Sequence, residues 1–259
     1  NSKITKYNNP NNLIDNYYVG RKINEIWGYE TAGIIQTDDD LAKMPDQSIL
    51  YGKWQKGDIM YKDLNGDGKI TDGKRVLGDT GDYKVIGNST PRFAFGITAS
   101  GEWKGFDLNI FLQGIAKRDY AVPGGNNAGT LFWGFVGGWG TNLYKTTMDF
   151  WTEDNTNAYL PRPYNSSEVS KNQQVQTRYL QNAAYMRLKN LQLGYTIPHS
   201  IVNKISLQRI RLYISGENLF TITGLNKNFD PETLSGWGGG MGKSYPITKS
   251  LAFGLNIDF

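Results

Sequence analysis

Five stretches of the sequence alternate apolar with polar or small residues, and this alternation constrains the fold more than any other feature. The stretches cover residues 93–103, 106–113, 190–197, 210–217 and 251–259. A period of two places every second side chain on the same face of a β-strand, so each stretch predicts a strand with one apolar face. The two residues Lys104 and Gly105 separate the first two stretches and predict a hairpin turn. A phase slip near Lys189 predicts a β-bulge. The sequence therefore predicts an all-β fold.

The composition of the chain is consistent with a β-rich fold and argues against several functions. The chain of 259 residues holds 31 Gly and 13% aromatic residues, a mixture that favours strands and tight turns. Its formal charge of +4 is not gathered in one basic run, so no nucleic-acid partner is expected. The absence of Cys excludes disulfides and thiol chemistry. No run of 18 apolar residues predicts a transmembrane helix, whereas transmembrane strands give a much weaker signal and stay possible.

The polar phase of the strands favours a membrane barrel over a soluble sandwich. A wet barrel lumen would suit the polar side chains, and segments of about nine to eleven residues match a tilted membrane crossing. Trp103, Tyr195 and Phe259 lie at segment ends, where an aromatic girdle is expected. A soluble β-sandwich gives the same alternation with its apolar face packed inward, so this alternative stays open. The predicted lumen-facing residues are Asp107, Asn109, Gln113, Arg211, Tyr213 and Glu217.

Connections between the predicted strands alternate between long and short. Long connections run from about 36 to 91, 115 to 183 and 219 to 249, and short ones lie at 104–105 and 198–206. Outer-membrane barrels have short periplasmic turns and long extracellular loops. With the C-terminus placed in the periplasm, the stretch DLNGDGKITDG at 63–73 falls in an extracellular loop.

Several stretches resemble one known family in their order along the chain. They are NEIWGYETAGIIQTDDDL at 24–41, GDIMYKDLNGDGKITD at 57–72, NSTPRFAFGITASGEWKGFDLNIFLQGIAKRDY at 88–120, RYLQNAAYMRLKNLQLGYTIP at 178–198, RIRLYISGENLFTITGLNKNFDPE at 209–232, and LAFGLNIDF at 251–259. Together they resemble the C-terminal part of the SusC/RagA-type TonB-dependent outer-membrane transporters of Bacteroidetes.

The resemblance implies that residues 1–259 are the C-terminal portion of a large antiparallel transmembrane β-barrel, which has twenty-two strands in the family. No plug domain and no signal peptide are expected within this sequence. The implied function is TonB-dependent import of glycans or oligopeptides across the bacterial outer membrane, without enzymatic activity. The implied partners are the remaining barrel and plug, a SusD-like surface lipoprotein, TonB, outer-membrane lipid and the glycan or peptide substrate. The alternative is a soluble extracellular calcium-binding β-sandwich of lectin or glycosidase type.

The acidic stretch at 63–73 resembles the start of an EF-hand loop. Calcium ligands in that loop come from positions 1, 3, 5, 7 and 12, with Gly at position 6. Asp63, Asn65, Asp67 and the carbonyl of Lys69 match the first four ligand positions, but position 12 is Lys74. Asp72 is the nearby substitute. The sequence therefore predicts a Ca²⁺ site that stiffens the loop, with a polar turn as the alternative.

Two further features point to contacts outside the strands. Aromatic residues among glycines predict loops that dock a ligand or a lid protein, or that pack on themselves. These residues are Phe132, Trp133, Phe135, Trp139 and Trp237. Alternating aromatics that end at Phe259 resemble the signal by which the barrel assembly machinery recognises outer-membrane proteins.

Overall fold

A computed structural model describes residues 2–121, 148–164, 167–227, 229–234, 245 and 247–259. The chain divides into two compact units. The first comprises Asn1–Thr90, Asp119–Gln181 and Leu234–Ser244, and the second comprises Pro91–Arg118, Asn182–Thr233 and Tyr245–Phe259.

The second unit is an antiparallel sheet built from the alternating stretches. Its strands are β5 (Arg92–Trp103), β6 (Phe106–Lys117), β9 (Tyr185–Thr196), β10 (Arg209–Glu217), β11 (Thr221–Thr223) and β12 (Ser250–Asp258). Their spatial order is β12-β10-β9-β6-β5, and β11 pairs with the start of β9. All of these pairings are antiparallel, so neighbouring long strands follow one another in sequence as a meander.

Local geometry confirms the predicted hairpin and the predicted bulge. Lys104 and Gly105 have φ values of 47° and 86°, so both central residues of the turn lie in the left-handed region that two-residue hairpins of type I′ require. Between β6 and β9, Phe111 faces Asn190 but Leu112 faces Leu188, which leaves Lys189 without a partner across the ladder. The extra residue restores the alternation on both sides of Lys189.

Short strand pairs and irregular segments form the first unit. The strands are β1 (Glu25–Tyr29), β2 (Thr31–Ile34), β3 (Ile59–Tyr61), β4 (Tyr83–Asn88), β7 (Asp119–Ala121) and β8 (Leu180–Asn182). They pair as β1 with β4, β2 with β3, and β7 with β8. The segment before residue 36 forms β1 and β2. Tyr61, Ile35 and Ile59 are fully buried here.

The described structure also contains three short α-helices, α1 (Asp38–Lys43), α2 (Val169–Asn172) and α3 (His199–Val202), and two 3₁₀ helices at Thr177–Tyr179 and Asn203–Ile205. In α1, the Thr37 hydroxyl accepts a bond from the Asp40 amide, and the Asp40 carboxylate accepts one from the Thr37 amide. This capping box and the acidic residues of the first turn explain why a helix begins at Asp38. Within the described ranges, no helix has both the length and the apolar character needed to span a bilayer.

Candidate functional site

The main sheet has one apolar face, and that face is exposed. The register places Trp103, Phe106 and Tyr195 in line across three strands, and the same face continues through Leu212 to Leu255. Their neighbours on that face, Phe253 and Phe259, expose 82% and 84% of their surface, whereas a soluble sandwich would pack such residues inward. An apolar face of this size marks a surface that another apolar phase or partner covers.

The six residues predicted to face a lumen all lie on the opposite, polar face. Asp107 and Asn109 of β6 face Gly194 and Gln192 of β9, and Gly194 in turn faces Tyr213 of β10. Gln113 shares the face of Asp107 and Asn109 because it lies an even number of residues along β6. By the same count, Arg211 and Glu217 share the face of Tyr213. That this face lines a lumen stays a prediction.

An ion pair crosses this polar face over the strand between its partners. The Arg211 Nε donates to Asp107 Oδ2 at 2.8 Å, and Arg211 Nη2 also bonds Asp107 Oδ1. The two residues are 104 positions apart in sequence, and they lie on β6 and β10 with β9 between them. Gly194 of β9 makes this possible, since a Cβ there would lie within 2.5 Å of Arg211 Nη2.

A second glycine supports Tyr213. The Tyr213 ring covers Gly254, its partner on β12, so closely that no Cβ could fit there. The Arg211 guanidinium lies 4.9 Å from the centre of the same ring, within the range of a cation–π interaction. Arg211 is therefore held by both a carboxylate and an aromatic ring.

Residues that sequence reasoning missed form a second charged cluster on the polar face. Arg187 contacts Asp230 and Glu232, and Lys189 contacts Glu232. The phase slip at Lys189 was the only sequence signal, and it indicated a bulge without indicating what the bulge holds.

The acidic loop forms a compact turn through its own side chains. The carboxylate of Asp63 accepts bonds from the amides of Gly66 (2.7 Å) and Gly68 (2.8 Å), and Asp67 accepts one from the Lys69 amide (2.9 Å). Asn65 bonds Asp67 through both its oxygen and its amide group. Backbone donors, above all the Gly68 amide, lower the pKa of Asp63 below its usual value of 3.8. Their contribution to stability is therefore complete at neutral pH and is lost as the pH falls through that lowered pKa.

A buried carboxylate outside the motif closes the base of this loop. The side chain of Asp82 is fully buried and accepts bonds from the amides of Leu64 (2.6 Å) and Thr71 (2.9 Å) at the two ends of the loop. Asp72, the expected substitute ligand, instead pairs with Arg75 at 3.0 Å. Across the part of the chain that the structure describes, no three acidic, histidine or cysteine side chains gather where they could hold a metal ion.

This arrangement fits a calcium site only in part and leads to a testable expectation. Asp63, Asn65, Asp67 and the Lys69 carbonyl can offer oxygens, but nothing supplies the bidentate carboxylate of position 12. We expect calorimetric titration of the purified protein to detect no Ca²⁺ binding tighter than about 1 mM, the weak end of the known range. The variant Lys74→Glu should bind at least about tenfold more tightly because it restores that ligand. Lys56→Glu, which adds the same charge outside the loop, is the control, and equal affinities for the two variants would contradict the expectation.

Other predicted site residues divide into two groups. Phe132, Trp133, Phe135, Trp139 and Trp237 lie outside the described residues. Phe259 follows β12 on the apolar face, at the same end of the sheet as Trp103 and Tyr195. Its role as an assembly signal stays a prediction.

The first unit contains a buried polar cluster that sequence reasoning also missed. The ammonium group of Lys171 lies 2.7 Å from Asp58 Oδ2, and both side chains are fully buried. Asp58 Oδ1 accepts further bonds from the Tyr164 hydroxyl (2.8 Å) and the Asn172 amide group (2.9 Å). Lys171 also donates to the carbonyl of Lys53 at 2.8 Å. This cluster joins the segment that contains α2 to the segment before β3.

Comparisons with known proteins agree with this geometry. No family model matches the sequence. The chain is 32% identical over 250 residues to TonB-dependent receptor P3 of Formosa agariphila, a match that covers 93% of this chain and 22% of the receptor. It is 24% identical over 253 residues to TonB-dependent receptor P26 of the same organism, covering 93% of this chain and 23% of that receptor. This chain thus spans about a quarter or less of these relatives.

Solved structures give the same result. The structure of the RagAB peptide transporter matches with a TM-score of 0.61 and 25% identity, covering 94% of this chain and 24% of that chain. A closed-closed state of the RagAB peptide importer matches with a TM-score of 0.60 and 24% identity, covering 99% of this chain and 25% of that chain.

The antiparallel meander, with its exposed apolar face and its polar opposite face, defines the chain as a segment of a large transmembrane β-barrel. The sequence matches then identify which barrel this is. The chain belongs to the family of TonB-dependent receptors, and its structural neighbours are of the SusC/RagA type.

Proposed function

We propose that this chain is part of the barrel wall of an outer-membrane, TonB-dependent nutrient importer that works with a SusD-like surface lipoprotein. The observation that carries this proposal is the match to TonB-dependent receptors over 93% of the chain. In this proposal the apolar face contacts outer-membrane lipid and the polar face lines the transport path. The importer acts by transport, and the chain has no enzymatic activity of its own.

The proposed partners follow from the incomplete sheet. The outer edges of β5 and β12 lack a neighbouring strand within the described part of the sheet. An open edge in hydrocarbon is costly because each unsatisfied backbone group costs several kcal/mol, so further strands must complete the barrel. A plug, TonB and the lipoprotein complete the proposed assembly.

Oligopeptides are the first substrate class to test, and glycans are the second. RagAB is described as a peptide transporter, and the chain shares 25% identity with it. Among the described residues of the polar face, Asp107, Arg211 and Gln113 offer both charge and hydrogen-bonding groups. Such groups suit the backbone and the charged ends of a peptide, and they also suit the hydroxyls of a glycan.

The proposal is tested by isolating the protein from its native outer membrane in mild detergent and identifying every polypeptide that copurifies. We expect to recover the strands that complete the barrel, either in the same polypeptide or in a larger one that copurifies. We also expect to recover a surface lipoprotein. Growth on oligopeptides or on glycans as sole nutrient, with and without the receptor gene, then identifies the substrate class. Recovery of the protein only in the detergent-free soluble fraction would contradict the proposal.

The same fractionation tests the alternative of a soluble calcium-binding β-sandwich. That alternative requires a second layer over the apolar strand faces. Residues such as Trp103 and Leu251, which expose 68% and 69% of their surface, have no such cover. The transporter is therefore the better account.

A further inference from the structure

The segment Phe229–Thr233 follows β11 and folds back toward the polar face of the main sheet. The Phe229 side chain is buried, with 6% of its surface exposed. A turn orders the backbone here, since Asp230 Oδ1 accepts a bond from the Glu232 amide at 2.9 Å. The Thr233 amide donates to the Asp230 carbonyl at 3.1 Å.

Cations of the sheet hold this segment at three places. The Arg187 Nη2 donates to Asp230 Oδ2 at 2.8 Å, and its Nη1 lies 3.0 Å from Glu232 Oε1. The Lys189 ammonium donates to Glu232 Oε2 at 3.2 Å. The Arg118 guanidinium donates to the carbonyl of Pro231 at 3.3 Å. The three contacts thus reach Asp230, Pro231 and Glu232 of the turn from a strand or its end.

The setting of Arg187 makes these contacts stronger than ordinary surface ion pairs. Its side chain is only 4% exposed, and the carboxylates of Asp230 and Glu232 are 12% and 17% exposed. Removing one partner from a buried, hydrogen-bonded pair leaves an uncompensated charge, which is much more costly than losing an exposed pair. The Arg187 Nε is bonded as well, to the Thr221 hydroxyl of β11 at 2.7 Å, which fixes the plane of the guanidinium.

The bulge at Lys189 sets which residues beyond the two cations lie on each face of β9. Arg187 faces Gln113 and therefore lies on the polar face. In a regular strand only every second residue lies on that face, so Arg187 would be followed there by residue 189 and then 191. Lys189 therefore lies on the side of Arg187 by ordinary alternation, and the extra residue places Asn190 on the polar face and Leu191 on the apolar face. The bulge thus keeps Leu191 on the apolar face although Arg187 and Lys189 both lie on the polar face.

We infer that Phe229–Thr233 is a latched element of the inner barrel wall, in which the cations Arg187 and Lys189 hold the carboxylates of Asp230 and Glu232 against the polar face. The inference rests on the proposed function in one respect only, namely that this polar face lines the transport path. Its consequence is that this segment narrows the path permanently and does not swing away with an extracellular loop.

The test measures amide hydrogen exchange of the peptide that contains residues 229–233 in the complete, purified receptor in detergent. The wild type should exchange slowly. In Arg187→Met, exchange of this peptide should rise by at least about tenfold because two carboxylates lose their main partner. Glu232→Gln keeps the shape of the side chain and should raise exchange severalfold, so the inference stays testable if Arg187→Met fails to fold. Glu102→Gln, which removes a carboxylate from the opposite end of the same face, should leave the peptide unchanged.

A double-variant cycle makes the test specific to the ion pairs. Lys189→Met and Glu232→Gln together should raise exchange by less than the product of their separate effects, because they remove the same contact. Multiplicative effects, or exchange that is fast in the wild type, would overturn the latch. Uptake measured on the same variants tests the importer separately: slow exchange in a receptor that imports nothing would contradict the proposed function and leave the latch intact.

Discussion

Replacing Asp58 with Ala is expected to open the first unit around its buried ion pair. The ammonium group of Lys171 would stay fully buried and would lose its carboxylate partner, which lies 2.7 Å away. Breaking a buried pair in this way costs about 3–5 kcal/mol. Hydrogen exchange at the amides of Ile59 and Tyr61 should therefore accelerate by roughly a hundredfold or more, at about 1.4 kcal/mol for each tenfold change. The measurement is made by mass spectrometry on the purified receptor in detergent.

Two variants separate the buried pair from a general effect of charge. Asp38→Ala removes a carboxylate whose contact with Lys56 is exposed, and it should change exchange very little. Adding Lys171→Met to Asp58→Ala should recover much of the lost stability, because no unpaired charge is then buried. The ring centres of Tyr51, Trp54 and Tyr164 lie 4.4 to 5.5 Å from the ammonium group, so these rings can pack against the methionine side chain. If the double variant were less stable than Asp58→Ala, the pair would not be the cause.

Replacing Gly114 with Val is expected to prevent β6 and β9 from pairing normally. A Cβ at this position would meet the backbone carbonyl of Tyr185 and would lie 2.5 Å from the ring of Phe95. The carbonyl belongs to β9, so it cannot move aside without separating β6 from β9. Overpacking of this kind typically costs about 1–3 kcal/mol, and occasionally more when a backbone atom is in the way. The expected result is a sharp loss of the heat-modifiable, folded form of the receptor on gels of outer-membrane fractions.

Gly101→Val is the matched control for this prediction. Gly101 also lies on the apolar face of a long strand, but no atom lies within 4 Å of the position that its Cβ would occupy. The control should assemble as the wild type does, since a valine there gains strand propensity and meets only the apolar surroundings of the barrel. Equal loss of folded receptor in both variants would show that strand glycines are required for some reason other than the contact at Gly114.

The alternation of apolar and polar residues predicted the long strands because it records a property of each strand alone. The same local information was enough for the hairpin turn at Lys104 and Gly105 and for the bulge at Lys189. Which residues share a face also follows from counting along one strand. For this reason the six polar residues from Asp107 to Glu217 fall on one face in the structure.

The contacts between those residues needed information that a single strand does not carry. Asp107 and Arg211 meet only because β9 lies between β6 and β10 and places a glycine at their crossing point. Lysine is a residue type that is usually exposed, and the burial of Lys171 depends on Asp58, which lies 113 positions earlier in the sequence. Asp82 closes the acidic loop from outside the motif, so a search for metal ligands passes over it.

The tie between Asp107 and Arg211 also affects how this wall carries mechanical load. Backbone hydrogen bonds join each strand only to its immediate neighbours, so a shearing force along one strand can be relieved at a single ladder. A side-chain bridge from β6 to β10 spans two ladders at once, and sliding β9 past either neighbour would have to stretch it. Such a bridge therefore helps to keep β6, β9 and β10 in register when a force acts on the wall. Gly194, the residue with no side chain, is the one that makes the brace possible.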